Sequence, residues 1–323
     1  GHLLEWVKLT DQLGYDILGL GDSQSLFREL YVSLALVALN TRRVRLGPRV
    51  SNPLTRHPAV TASAIASVEE LAPGRTFLGL ATGDSAILNL GLRPAKMEQL
   101  KEYIVAIKEL FARHETVYQG KTIRLTWPSR GVPIYIAAEG PKTLRLAGQI
   151  ADGVVVGLGL TPELVKDALG YIHAGARDAG RDPKSIDVWW IVKGNIGESR
   201  KKVVDDMRMA LAASGHHAFR FTLEGKRVPP ELVDKVERLK REYRPSEHEQ
   251  LGAEKWNARL VDELGLKEFL ADRFAIAGTP QECVEQIQRC AAAGATQLWI
   301  SAHVPDRPYF LRTFAEKVIP HFK

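Results

Sequence analysis

Short apolar runs alternate with segments of helical periodicity along most of this chain. The apolar runs are bounded by turn residues and predict seven strands, over 17–21, 43–46, 75–81, 133–138, 153–157, 187–193 and 297–301. Apolar positions three and four residues apart predict the helices, over 3–14, 28–40, 58–71, 95–113 and 162–178, one ending at 150, one beginning near 279 and one over 307–320. Within 116–132, Gln119-Gly120 is expected to close a hairpin.

This alternation places the chain in the α/β class. Strands that are apolar throughout indicate a parallel sheet buried on both faces. Seven strand–helix units, preceded by a helix without its strand, predict a single (β/α)8 TIM barrel over 1–323 whose first strand is absent from this chain. The alternative is a doubly wound open sheet, which expects a Gly-rich phosphate turn after its first strand. The segment 22–25, Asp-Ser-Gln-Ser, is no such turn.

Residues 198–272 interrupt the alternation with a helical, charged stretch in which no strand is predicted. This stretch is too long for a plain connection between a strand and a helix. We expect it to be a helical insertion that serves as a lid or specificity region for the substrate.

Composition and charge narrow the function classes. No run of about 18 apolar residues occurs, so no membrane-spanning helix is expected. The net charge is +6, but basic residues are scattered and often paired with acids, as on a solvated helix face rather than a nucleic-acid surface. Cys283 and Cys290 lie about 10 Å apart along one predicted helix, too far for a disulfide. Reduced cysteines suit the cytoplasm.

Candidate chemistry lies where the strands end, because parallel barrels place their sites at the carboxyl ends of strands. These ends carry small residues, backbone amides and few carboxylates, and they lack Lys, His and Cys. The candidate residues are Asp22, Arg49, Val50, Ser51, Ala81, Thr82, Gly83, Asp84, Ala138, Glu139, Gly140 and Gly157. Such a rim suits a planar ligand with a phosphate, since the helix that starts after Gly140 presents free N–H groups to an anion.

Ordinary structural roles remain open for several of these residues. Asp22 and Asp84 have the residue type of helix N-caps, and His57 before Pro58 is expected to be a turn or cap residue. The histidines show no metal-ligand spacing, and we expect no metal. The sequence contains no Walker loop, nucleophile elbow or CxxC motif.

Four segments resemble the bacterial luciferase-like superfamily of flavin and deazaflavin oxidoreductases. They are LGPRVSNPLTRHP (46–58), GRTFLGLATGD (74–84), IYIAAEGP (134–141) with ADG (151–153), and AIAGTP (275–280). The resemblance runs over essentially the whole chain and is greatest to the branch of the F420-dependent methylenetetrahydromethanopterin reductase.

The resemblance implies a cofactor and roles for the candidate residues. The cofactor would be the deazaflavin coenzyme F420, with FMN as the alternative. Asp22 would approach the polar edge of the ring and is the candidate catalytic residue, and Arg49-Val50 would be a cis peptide behind the ring. Residues 81–84 would line the ring and its side chain. Residues 138–140 and Gly157 would hold the phosphate through backbone N–H groups.

The implied function is hydride transfer to or from a small organic substrate by a homodimeric cytoplasmic enzyme. The alternatives are an FMN-dependent monooxygenase fed by a separate reductase, and a non-catalytic flavin-binding barrel. This sequence departs from relatives at two places: many have His or another larger polar residue where Ser23 stands, and some have Asn near Ile87. The strand that carries a catalytic glutamate in the methanopterin reductase is not in this chain, so the resemblance names no proton donor.

Overall fold

The computed structural model describes residues 2–127, 129–248, 250, 252, 254–302 and 304–323. The chain divides into two compact units. The first unit comprises Gly1–Ala137, Leu146–Val155 and Gly175–Asp187, and the second comprises Ala138–Arg145, Val156–Ala174 and Val188–Lys323. No helix of the described residues is both long and apolar enough to cross a membrane.

The first unit contains most of the strands and helices of the amino-terminal half. Its helices are α1 (Leu3–Gln12), α2 (Leu30–Asn40), α3 (Pro58–Leu71), α4 (Ser85–Leu88) and α5 (Met97–Arg113). Its strands are β1 (Ile17–Leu20), β2 (Arg45–Pro48), β3 (Leu78–Leu80), β4 (Glu115–Tyr118), β5 (Lys121–Arg124), β6 (Ile134–Ala138) and β7 (Gly153–Val156). The last residue of β6 and the last residue of β7 already belong to the second unit.

The strand pairs β1–β2 and β3–β6 of the first unit are parallel, whereas β4 and β5 form a separate antiparallel two-stranded sheet. β1 pairs with β2 from Ile17↔Arg45 to Leu20↔Pro48, and β3 pairs with β6 from Leu78↔Ile134. Bridges at Leu46↔Thr76 and Ser51↔Leu80 join β2 to β3, and β7 follows β6. Continuous burial of β3 agrees with the apolar runs that predicted a parallel sheet.

Most element predictions in this unit are confirmed, and one is wrong. The helix predicted over 58–71 has those bounds, and the hairpin closes at Gln119-Gly120 with both residues at positive φ. The strand predicted to break at Gly47-Pro48 instead continues through both residues. Gly47 permits this because a Cβ there would lie 2.2 Å from the Phe77 carbonyl oxygen, so only glycine lets the two strands approach.

The second unit contains the carboxyl-terminal elements. Helices α6 (Pro141–Ile150) and α7 (Pro162–Asp178) begin here, and β8 (Asp187–Ile196) lies here apart from its first residue. The remaining elements are α8 (Arg200–Asp206), α9 (Arg208–Phe219), α10 (Val233–Glu242), α11 (Trp256–Glu263), α12 (Lys267–Phe274), β9 (Ala275–Gly278), α13 (Pro280–Ala292), β10 (Gln297–Ser301) and α14 (Arg307–Lys317).

One strand of this unit was not predicted. β9 pairs in parallel with the last four residues of β8, Lys193 to Ile196, whereas β10 pairs with Trp189 to Lys193. The four residues of β9 lie directly before the capping box of α13, which Thr279 and Glu282 form. The pattern at this point therefore predicted only the start of a helix.

The prediction that 198–272 is helical is confirmed for its described residues. Helices α8 to α12 pack around a shared apolar cluster whose fully buried members include Leu211, Phe219, Leu239 and Leu260. The same cluster includes Phe274, Ala275 and Ala277, so these helices share their core with β9. That 198–272 is an insertion stays a prediction.

Candidate functional site

Asp22 lies two residues after the end of β1, and its carboxylate is bound by two donors of the first unit. Its Oδ2 accepts hydrogen bonds from Ser51 Oγ and from Arg56 Nη1, each at 2.6 Å. The Asp22 side chain is 9% exposed. The helix-cap alternative for Asp22 is wrong, because α2 begins at Leu30 and its cap is Glu29, which accepts from Val32 N at 2.8 Å.

The segment after β2 is fixed against β3. The Arg49–Val50 peptide bond is cis, as the family resemblance implied. Ser51 N donates to Gly79 O at 2.8 Å, and Ser51 O accepts from Ala81 N at 2.9 Å. Residues 49–51 and Ala81 are therefore held together at the carboxyl ends of two neighbouring strands.

Residues 81–84 lead from β3 into the short helix α4. Gly83 has φ +105°, and a Cβ there would clash with Ile87 Cδ1 at 2.7 Å, so this position requires glycine. Asp84 occupies the N-cap position of α4, but its side chain makes no capping hydrogen bond. The side-chain cap suggested for Asp84 is therefore wrong, although Asp84 O accepts from Ile87 N at 3.0 Å. Thr82 O accepts from Ala95 N at 2.8 Å, which anchors this turn.

The candidate phosphate residues Ala138, Glu139, Gly140 and Gly157 all belong to the second unit. Gly157 N donates to Ala138 O at 3.0 Å, so the expectation that the Gly157 amide holds a phosphate is wrong. The reason is that this amide is already used between neighbouring strand ends. Gly157 instead makes room, because a Cβ there would lie 3.0 Å from Glu139 Cγ.

Gly140 precedes α6 and has open space beside it. A Cβ built at Gly140 would meet no atom within 4 Å. The residue is also absent from the glycines at positive φ among the described residues. A small residue that leaves space at a helix N-terminus is the arrangement that suits an anion.

The helical insertion supplies two basic side chains to Glu139 within the second unit. His217 Nε2 lies 2.6 Å from Glu139 Oε1, with side-chain exposures of 38% and 19%. Lys226 is buried; burial lowers its pKa to about 8, and the nearby Glu139 carboxylate opposes that shift. Sequence reasoning missed both residues, because the insertion that carries them lies far along the chain from Glu139.

Arg56 is the functional candidate of the first unit that sequence reasoning missed. It pairs with Asp22 across 34 positions of the sequence. Arg56 lies within the motif 46–58, but neither periodicity nor spacing shows which carboxylate an arginine will meet. Its neighbour His57 caps α3 by accepting from Ala59 N at 3.3 Å, as expected.

Among the described residues, no group of three or more His, Cys, Asp and Glu side chains could hold a metal ion. Cys283 and Cys290 are both free and buried. Burial raises the pKa of Cys283 to about 12 and that of Cys290 to about 11, so neither thiol has the character of a reactive nucleophile.

The chain matches a known protein family over most of its length. The sequence profile of the luciferase-like monooxygenases matches residues 1–297. The chain is 29% identical to the 5,10-methylenetetrahydromethanopterin reductase of Methanolobus tindarius over 98% of this chain and 95% of that protein. It is 30% identical to the F420-dependent glucose-6-phosphate dehydrogenase of Microbacterium testaceum over 100% and 93%.

A solved structure extends this result to the fold. The coenzyme F420-dependent tetrahydromethanopterin reductase from Methanopyrus kandleri matches with a TM-score of 0.78 at 25% identity. The match covers 99% of this chain and 95% of that one. The luciferase-like α/β barrel fold expected from the sequence is confirmed by this match.

Proposed function

The chain belongs to the luciferase-like monooxygenase family, and on that basis we propose that it is an oxidoreductase that uses coenzyme F420. One observation carries the proposal. The reductase and the dehydrogenase that the chain resembles over nearly its whole length act on unrelated substrates, and F420 dependence is named for relatives of both kinds. The use of F420 is therefore the property that we infer for this chain. For its substrate we propose only a small organic molecule.

The residues of the first unit fit the ring of such a cofactor. Asp22 offers a nearly buried carboxylate as acceptor for a donor on the polar edge of the ring. We assign the lining of the ring to Arg49, Val50, Ser51, Ala81, Thr82, Gly83 and Asp84. Of these, Ser51 donates to Asp22 and accepts from Ala81 N. A surface of this kind can contact a flat ring without side chains that compete for the space.

The residues of the second unit fit a phosphate. We assign its binding to the backbone of Glu139 and Gly140 and to the first turn of α6, with Ala138 and Gly157 shaping the strand ends. The open space beside Gly140 leaves room for an anion. Lys226 places a positive charge near Glu139 that can offset the charge of a bound phosphate, and His217 contacts the Glu139 carboxylate.

The chemistry follows from what these groups can hold in place. When bound, the deazaflavin supplies or accepts the hydride. The protein residues orient the ring through Asp22, anchor the phosphate through Gly140 and exclude water from the reacting face. We assign 198–272 the role of the lid or specificity region for the substrate.

We further propose that the enzyme is a cytoplasmic homodimer. Helix α2 is apolar on all sides: Leu34 and Val37 are buried, whereas Val32, Leu36 and Leu39 are 64%, 42% and 66% exposed. These three residues recur at i, i+4 and i+7, which places them on one helix face. A helix that is apolar all round is normally covered on every side, and a second copy of α2 would cover this face.

A parallel titration tests the cofactor assignment. We expect the protein to bind F420 with a Kd of about 1 µM or tighter, a free energy of about −8 kcal/mol, and FMN at least about tenfold more weakly. Fluorescence quenching of each cofactor gives both constants. Preferential binding of FMN would replace the proposal with the FMN-dependent monooxygenase, and failure of both to bind would overturn it.

A further inference from the structure

The two hydrogen bonds that Asp22 accepts fall on one of its two oxygens. Ser51 Oγ and Arg56 Nη1 both donate to Oδ2 at 2.6 Å. No donor of the described residues bonds to Oδ1. Because the side chain is only 9% exposed, its orientation is set by these two donors rather than by water.

Arg56 is itself held at three points. Its Nη1 donates to Asp22 and its Nη2 donates to Glu29 Oε1 at 2.8 Å. Its guanidinium carbon lies 5.1 Å from the centre of the Tyr31 ring, within cation–π distance. Glu29 is fixed in turn, since its other oxygen caps α2 at Val32 N. The guanidinium therefore links the N-terminus of α2 to the carboxylate after β1.

We propose that Arg56 is the positioning residue of the ring site, an inference that rests on the proposed F420 function. Arg56 holds the Asp22 carboxylate turned so that Oδ1 can accept a hydrogen bond from an N–H or O–H on the polar edge of the deazaflavin. Arg56 acts on cofactor affinity through Asp22 and does not touch the reacting atoms.

An arginine suits this task better than a lysine. The planar guanidinium donates from two nitrogens in fixed directions, so it can bond Asp22 and Glu29 at once. A lysine ammonium is a point charge on a flexible stem. Arg56→Lys keeps the charge and loses the fixed geometry, whereas Arg56→Met loses both and keeps most of the apolar stem.

The alternative is a purely structural role, in which Arg56 only links α2 to the loop before α3. A double-mutant cycle separates the two roles, because a residue that acts through a partner has no further effect once the partner is removed. The four proteins are wild type, Arg56→Met, Asp22→Asn and the double variant. F420 affinity and the unfolding midpoint are measured for each.

We expect Arg56→Met to weaken F420 binding at least about tenfold in the wild-type background and less than about twofold in the Asp22→Asn background. Arg56→Lys should recover part of the affinity. Arg45→Met is the matched control, since Arg45 also pairs with a carboxylate, Asp187 at 3.6 Å, but stands at the amino end of β2. It should leave F420 affinity unchanged.

Equal losses in both backgrounds, or no loss in either, would overturn the positioning role while leaving F420 binding by the wild type intact. Absence of F420 binding by the wild type would overturn the proposed function, and this inference with it. Should Arg56→Met fail to fold, Arg56→Lys in the same cycle decides between the two roles.

Discussion

Asp22 shows how one residue type can serve two chemistries that the sequence alone does not separate. An aspartate just after a strand has the residue type of a helix cap. In the structure the cap is formed by Glu29, seven positions later, and Asp22 is bound by Ser51 and Arg56. Because Asp22 does not cap a helix, its nearly buried carboxylate is available as an acceptor for a ligand.

Gly140 gives a prediction at the scale of a single residue. Gly140→Leu should weaken F420 binding at least about tenfold, about 1.4 kcal/mol, because the new side chain fills the space assigned to the phosphate. The unfolding midpoint should stay near wild type, since a Cβ at this position meets no atom within 4 Å. Titration with F420 and thermal unfolding measure the two effects.

Gly170, within α7, is the matched control for this variant. A Cβ there also meets nothing within 4 Å, and we assign Gly170 no ligand. Gly170→Leu should keep wild-type F420 affinity. Unchanged F420 affinity in Gly140→Leu would show that the phosphate does not bind at the N-terminus of α6.

Lys226 gives a prediction about pH. Burial lowers its pKa from 10.5 to about 8. Between these values the unfolded chain holds a proton that the folded protein has released, so Lys226 makes stability rise with pH. The rise is at most about 1.4 kcal/mol per pH unit. Urea unfolding measures this from pH 7.5 upward. The free energy of unfolding of wild type minus that of Lys226→Met should increase as the pH rises.

The comparison between the two proteins isolates this effect. The buried Cys283 and Cys290 have pKa values raised to about 12 and 11 and make stability fall with rising pH, but they do so equally in both proteins. Lys235→Met, at an exposed position of α10, should keep the wild-type pH dependence. Parallel stability curves for wild type and Lys226→Met would contradict the burial of the Lys226 ammonium.

At the scale of elements, local pattern succeeded wherever an element was long or had a clear boundary. Pro58 and Pro162 mark the first residues of α3 and α7, and both helices have their predicted bounds. Pattern failed at β9, because its four residues lie directly before the start of α13 and the helix signal at Thr279-Pro280 was the only one recognised there. It also failed at Gly47-Pro48. The glycine there does not mark a turn but is needed because the neighbouring strand lies so close.

Helix α2 carries the prediction about assembly. Leu39→Glu should convert a wild-type dimer to monomer, because it places a charge in the apolar face that a second copy would cover. Sedimentation velocity measures the change. Val117→Glu is the control, since Val117 on β4 is 66% exposed, as is Leu39, but lies on the hairpin. A monomeric wild type, or a dimer that survives Leu39→Glu, would rule out this interface.

At the scale of the whole molecule, the sequence was sufficient for the barrel class and for most of the residues at the strand ends. It was not sufficient for the charges that surround them. Arg56 with Asp22 and His217 with Glu139 are pairs separated by 34 and 78 positions, and only the folded chain brings each pair to hydrogen-bonding distance. The amide of Gly157 was misassigned for the same reason, since its partner Ala138 lies on another strand.

The candidate ring residues and the candidate phosphate residues belong to different compact units. Every candidate ring residue, from Asp22 to Asp84, belongs to the first unit, and every candidate phosphate residue belongs to the second. The insertion 198–272 contributes Lys226 and His217 to the second set.

The most direct test is a crystal structure of the protein with F420 bound. We expect a hydrogen bond of about 2.7–3.2 Å from the polar edge of the ring to Asp22 Oδ1, and phosphate oxygens at similar distances from the backbone amides that follow Glu139. A cofactor bound at other residues, or a ring edge that leaves Asp22 without contact, would contradict the proposed site.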